Sequence, residues 1–150
     1  MQYNGGYILA QINKLTNRRI NSLFKKENIT EFNGAQGTII YVLMKRGPMP
    51  IKDIGRATGL AKTSLTSMLE RMERQGLVEK RENENDRRST IIGLSEKMKG
   101  YTEVLDRIAL AVNEGYYRGM EDKEIKCFEA TLEKILHNLE EDVYQNQPDL

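Results

Sequence analysis

Hydroxyl and guanidinium groups recur at helical intervals between residues 61 and 75. Successive helical residues are offset by about 100°, which places Thr63, Thr66, Ser67, Glu70 and Arg74 on one side, with Ser64 and Arg71 on its flank. Ala61, Leu65, Met68, Leu69 and Met72 gather opposite and are expected to face a core. Small hydroxyls near a helix start can meet base edges in a major groove, and arginines further along can reach phosphates or a guanine. Lys62, at the helix start, adds a further cation. An ordinary solvated helix face would also be rich in Ser, Thr and Arg, so the neighbouring elements must decide. A few residues later Arg81, Arg87 and Arg88 surround Asp86 in a polar stretch. An arginine at a hairpin tip can enter a narrow minor groove. Asp86 would weaken attraction to phosphate, so a structural task is expected of it, namely an ion pair that steadies a neighbouring arginine.

Side chains suited to bond-making chemistry are scarce. His137 is the only histidine, with Glu133, Glu140 and Glu141 about one turn away. A His and a Glu so spaced could share a metal, but no second His or Cys stands near them. A surface histidine is expected, with no metal and no cofactor. Cys127, the only cysteine, lies near Ile125 and Phe128 and is expected to be a small buried apolar group. It has no partner for an internal disulfide, which fits a reducing compartment. No nucleophile–base pair, phosphate loop or carboxylate cluster at catalytic spacing emerges. Catalytic residues are expected to be absent, and the chain is not read as an enzyme.

Charge is unevenly distributed. The net charge is only +1, yet residues 45–90 hold 11 Lys/Arg against 7 Asp/Glu, while residues 91–150 hold 7 against 13. A near-neutral protein with a basic middle and an acidic end can bind DNA on one face. The apolar run Ile39 to Met44 is too short to span a membrane. The first residues lack the basic and apolar stretches of a secretion signal, so a cytoplasmic location is expected.

The elements that must position these groups follow from periodicity and punctuation. Prolines number three and cluster little beyond Pro48 and Pro50, which suits a mostly helical chain with short loops. Apolar spacing predicts a helix over 7–26. Asn33-Gly34-Ala35-Gln36 resembles a capping box that opens a second helix, stopped at Gly47-Pro48. A short helix over 51–58 is bounded by Pro50 and Gly59, and the hydroxyl-bearing helix runs to Gly76. A short helix, a tight turn and a second helix make a helix-turn-helix. Residues 77–81 and 89–94 read as two strands joined by a polar hairpin loop. Ser95 is expected to cap a long helix containing Tyr101 and Val104, ended near Gly115 and Gly119. A last helix over about 121–144 carries Ile125, Phe128, Leu132, Ile135, Leu136 and Leu139 on one side. The fold class expected is mainly α with a small β-wing, a winged helix-turn-helix flanked by long helices. Those flanking stripes are longer than so small a unit can cover, which predicts a homodimer.

The run 59–78, from Gly59-Leu60-Ala61 through Glu70-Arg71-Met72 to Gly76-Leu77-Val78, is followed by Asp86-Arg87-Arg88 and Leu94-Ser95-Glu96-Lys97. Together with Phe32-Asn33-Gly34-Ala35-Gln36, this combination resembles the MarR family of bacterial winged-helix regulators over nearly the whole chain. Pro50, where a Ser cap is customary, and Met98, where a Gly is, depart from the pattern. The resemblance implies a homodimeric, sequence-specific transcription regulator, a repressor more often than an activator, on a pseudo-palindromic site in double-stranded DNA. Residues 1–30 and 95–150 would form a helical dimerisation region, and 31–94 the winged DNA-binding region of one intertwined domain. By position, Thr63, Ser64, Thr66, Ser67 and Arg71 would approach the major groove. Arg88 would enter the minor groove, Asp86 would steady the wing, and Arg87 would meet phosphate or solvent. The resemblance also implies a small phenolic or lipophilic effector in a crevice, for which Tyr7, Tyr41 and Tyr101 are the candidates. The alternative is a winged helix that docks on an acidic protein instead of DNA.

Overall fold

Six α-helices and three short strands form in the computed structural model, which describes residues 3–145. Their order is α1 (Gly5–Lys26), α2 (Gly34–Arg46), β1 (Met49–Pro50), α3 (Ile51–Thr58), α4 (Lys62–Arg74), β2 (Val78–Glu82), β3 (Thr90–Leu94), α5 (Thr102–Tyr116) and α6 (Asp122–Glu140). A 3-10 helix, Glu96–Tyr101, precedes α5, and a π-helical turn, Glu141–Gln145, follows α6. With 71% helix and one small antiparallel sheet, the expected mainly-α winged fold is realised. The chain divides into two compact units, 1–112 and 113–150.

In the first unit, local chemistry sets the element boundaries. Asn33 opens α2 with a full capping box: its Oδ1 accepts the Gln36 N–H at 2.9 Å, and Gln36 Oε1 accepts the Asn33 N–H at 3.2 Å. Gly59 stops α3 in the left-handed region, at φ +69°, which lets the chain turn sharply into α4. Gly76 closes α4 at φ +70°; its N–H donates to the Glu73 carbonyl and that of Leu77 to Met72, both at 2.9 Å.

The sheet has the order β1-β3-β2 and is antiparallel throughout. Strand β1, unforeseen in the sequence, pairs Met49 with Ile92 and Pro50 with Ile91. Two residues long and ending in proline, it is tolerated only as an edge. Behind the sheet and helices lies one core, to which α2 gives Ile39, Ile40 and Leu43, α3 gives Ile54, and α4 gives Leu65, Leu69 and Met72. Leu77, Val78, Ile92 and Met98 join it from the sheet side. Phe24 is the one buried residue of α1, and a Cβ on Gly37 would sit 2.7 Å from its Cζ. The small residue in α2 is therefore what lets α1 approach.

One expectation about α5 is corrected. Ser95 does not cap it: a 3-10 helix intervenes, no side-chain cap bond forms, and the Ser95 hydroxyl donates to the Gly76 carbonyl at 2.6 Å. Helix α5 ends at Tyr116, between Gly115 and Gly119 as expected, and Gly119 takes a φ of +79°. Ala61, expected in the core, is an exposed N-cap residue of α4.

In the second unit, α6 opens with its own capping box between Glu121 and Glu124. The Tyr117 ring meets Phe128 edge-on at 6.4 Å, and its hydroxyl donates to Glu129 Oε1 at 2.7 Å. That hydrogen bond to a carboxylate holds the Tyr117 hydroxyl above its usual pKa. No residue of α6 is buried. Cys127 is exposed, contrary to expectation, since the face it shares with Lys123, Glu124 and Thr131 is open to solvent. His137 is exposed as expected, with Nε2 3.3 Å from Glu141 Oε1. Among the described residues no helix is long and apolar enough to cross a membrane, and no group of three metal-ligating side chains gathers.

Candidate nucleic-acid interface

Helices α3 and α4, joined through Gly59, form the helix-turn-helix, and the hairpin β2–β3 forms the wing. Burial of Leu65, Leu69 and Met72 turns the opposite face of α4 outward. Thr63, Thr66, Ser67 and Arg74 are exposed there and Ser64 and Arg71 on its flank, as the wheel requires, and Lys62 is exposed at the helix start. Thr66 donates its hydroxyl to the Lys62 carbonyl at 2.8 Å, so its oxygen remains available as an acceptor. The N-cap residue Ala61 makes no side-chain cap bond. The first N–H groups of α4 are thereby left to solvent or to an incoming anion.

Cations on this surface differ in availability. Lys80 pairs with Glu73 at 2.8 Å and Arg81 with Glu79 at 3.5 Å. Lys62, Arg71, Arg74, Arg87 and Arg88 are exposed and enter no ion pair among the described residues. Phosphate contact for those five requires no intramolecular pair to be broken.

The wing tip is built from its own backbone. Asn83 Oδ1 accepts the Asn85 N–H at 3.1 Å, and Asn83 Nδ2 donates to the Ser89 hydroxyl at 2.7 Å. Asp86 Oδ1 accepts the Arg88 N–H at 3.0 Å, and the Asp86 carbonyl accepts both the N–H and the hydroxyl of Ser89, at 3.0 and 3.2 Å. Among the described residues Asp86 makes no ion pair to an arginine, contrary to expectation: its carboxylate orders the backbone under Arg88 instead of its guanidinium. Residue types and spacing reveal the two groups but not this geometry.

Two cations escaped the sequence reading. Lys52 and Arg56 stand four residues apart on the exposed side of α3, the helix that crosses the DNA backbone in a helix-turn-helix. Their i, i+4 spacing was the available signal.

The three candidate tyrosines keep separate company. Tyr7 is exposed and its hydroxyl accepts from Gln11 at 2.9 Å. Tyr41 lies under Lys45 Nζ, 5.4 Å from the ring centroid. Tyr101 packs edge-on against Phe32 at 5.4 Å; burial, then the neighbouring Glu31 carboxylate, push its hydroxyl pKa up. No ring contact among the described residues joins two of the three.

Comparison with known proteins agrees with this geometry. The sequence profile of the MarR family matches residues 31–89. An HTH-type transcriptional regulator of Bacillus subtilis strain 168, YwhA, is 30% identical over 103 residues, covering 69% of this chain and 74% of that one. Among solved structures, a MarR variant of E. coli in complex with operator DNA superposes with a TM-score of 0.69 at 18% identity, over 87% of this chain and 92% of that one. BpsR of Bordetella bronchiseptica, whose DNA binding is regulated by 6-hydroxynicotinic acid, does so with a TM-score of 0.70 at 18% identity, over 89% and 98%. Profile, relative and fold converge, and the chain belongs to the MarR family of DNA-binding transcription regulators.

Proposed function

We propose that the protein is a homodimeric repressor that binds a pseudo-palindromic operator and releases it on a signal. In this reading Thr63, Ser64, Thr66, Ser67 and Arg71 meet base edges and backbone in the major groove. Lys62, Arg74 and Arg87 hold phosphates, and Arg88 enters the minor groove beside a wing held by Asp86. The observation that carries the reading is the set of five exposed cations with no ion pair among the described residues, on α4 and the wing, beside an exposed row of hydroxyls. Paired recognition helices about one DNA turn apart would follow from two-fold symmetry. Residues 1–30 and 95–150 would supply the dimer contacts, and the cytoplasm is the proposed compartment. No catalytic step is assigned.

A small phenolic or lipophilic molecule is proposed as the signal, with Tyr7, Tyr41 and Tyr101 as the rings that would meet it. The support is chemical: BpsR responds to an aromatic acid, and the rings of Tyr7 and Tyr41 are exposed while Tyr101 is half-buried against Phe32.

The deciding experiment is a duplex selection from a random pool, followed by titration of the selected duplex at two salt concentrations. A regulator gives one enriched, pseudo-palindromic sequence and an affinity that falls steeply with salt. No enrichment, together with capture of an acidic protein that Arg88→Ala abolishes, would instead establish the winged helix as a protein-docking module.

A further inference from the structure

The C-terminal end of α4 is tied to the chain between α1 and α2 by a directional relay of hydrogen bonds. Gln75 donates from Nε2 to the Glu31 carbonyl at 3.2 Å. Its Oε1 accepts from Gln36 Nε2 at 2.9 Å, and Gln36 Oε1 accepts in turn from the Asn33 N–H at 3.2 Å. The relay begins on a backbone carbonyl and ends on a backbone N–H. Neither amide can therefore flip without setting oxygen against oxygen or N–H against N–H. Gln36 is only 3% exposed, and no buried side-chain polar atom among the described residues lacks a partner.

The far end of this relay is itself immobilised. Glu31 binds Lys97 Nζ at 2.6 Å, and the Phe32 ring packs edge-on between Phe24 and Tyr101, at 5.3 and 5.4 Å. Asn21 Oδ1 accepts the Gly34 N–H at 3.0 Å. On the helix side, Ser95 and the Gly76 closure hold the same end of α4. The other end, which carries Thr63 and Ser64, has no side-chain cap.

We infer that Gln75 and Gln36 are positioning residues for DNA reading: they set the pose of α4 without touching DNA. Apolar packing of Leu65, Leu69 and Met72 holds the helix close but is non-directional. The amide relay supplies direction. From residue 75 to residue 63 the helix is about 18 Å long, so a tilt of about 10° at the anchored end moves the leading hydroxyls by about 3 Å. Such a displacement exceeds the tolerance of a hydrogen bond to a base edge. The inference rests on the DNA-binding reading above.

The test compares wild type, Gln75→Met and Gln36→Glu on two duplexes at one salt concentration: the sequence selected by the wild-type protein and a scrambled duplex of the same composition. Gln75 is exposed, so the near-isosteric Met keeps the protein folded. The expected result for Gln75→Met is a preference for the selected duplex reduced about tenfold, the scale of one lost base contact. Binding to the scrambled duplex, set by phosphates, stays within about twofold. In Gln36→Glu the carboxylate cannot donate to Gln75, and preference returns on acidification, when the protonated group regains a donor; wild-type preference does not rise. A merely structural role would weaken both duplexes alike as melting temperature drops. An unchanged preference in Gln75→Met overturns the inference alone. A wild type that enriches no sequence overturns the DNA reading and this inference together.

Discussion

Asp86 and Arg88 form a unit in which a negative charge serves a positive one. Removing a carboxylate from a DNA-facing loop should, by charge alone, tighten binding to phosphate. Here the Asp86 carboxylate is the acceptor that holds the backbone under Arg88. Asp86→Ala is therefore expected to weaken operator binding by about 0.5–1.5 kcal/mol, the scale of one hydrogen bond, despite the gain in net charge. Fluorescence anisotropy titration reads this directly, and tighter binding would contradict the assignment. Arg88→Ala is expected to cost about 1–3 kcal/mol for the operator and to make the salt dependence shallower. Its melting temperature should not change, because the guanidinium enters no ion pair among the described residues.

Helix spacing within the first unit rests on residues the wheel does not flag. Gly37→Ala would place a Cβ 2.7 Å from the buried Phe24 ring, forcing α1 and α2 apart or the ring off its rotamer. A loss of about 1–3 kcal/mol is expected in urea denaturation. Gly55 in α3 is the control: a Cβ there meets Leu65 at an ordinary 3.5 Å, so Gly55→Ala should gain about 0.5–1 kcal/mol. The connector between α1 and α2 also carries a pH dependence. The hydrogen bond from Lys97 holds the Glu31 carboxyl below its usual pKa. A carboxyl lowered on folding stabilises the fold above its unfolded pKa and loses that contribution as pH falls through the lowered value. Urea midpoints of wild type should thus decline on acidification below the ordinary carboxylate range. In Lys97→Ala that decline should be smaller, and an identical acid limb in the two proteins would contradict the pairing.

At the scale of the molecule, apolar surface is unevenly spent. Helix α1 buries one residue of 22, and α6 buries none of 19. Tyr7, Ile8 and Leu15 of α1, Leu110 of α5, and Leu136 and Leu139 of α6 all stand exposed. These exposed apolar side chains are what supports the proposed dimer. The proposed dimer should be found by light scattering at micromolar concentration, at about twice the 17.3 kDa chain mass. Replacing Leu136 and Leu139 together by Arg should yield monomers whose operator affinity falls towards that of a single half-site. A wild type that stays monomeric would contradict the dimer.

Much of this was written in local sequence. The capping box at Asn33, the bounds of α3 and the glycine closures of α3 and α4 were legible because each depends on neighbours a few residues apart. The hydroxyl and arginine face of α4 was legible for the same reason, since a helix converts spacing into a face. Tertiary structure alone decided the rest. Strand β1 exists because β3, far along the sequence, offers it an edge on which Pro50 meets Ile91 and Met49 meets Ile92. Ser95 looked like a helix cap, yet its hydroxyl serves Gly76 across the fold. Gln75 looked like the end of a helix and proved to be joined to Gln36 and Glu31. Periodicity reports which side of an element is buried; it carries no record of which distant polar group waits there to be satisfied.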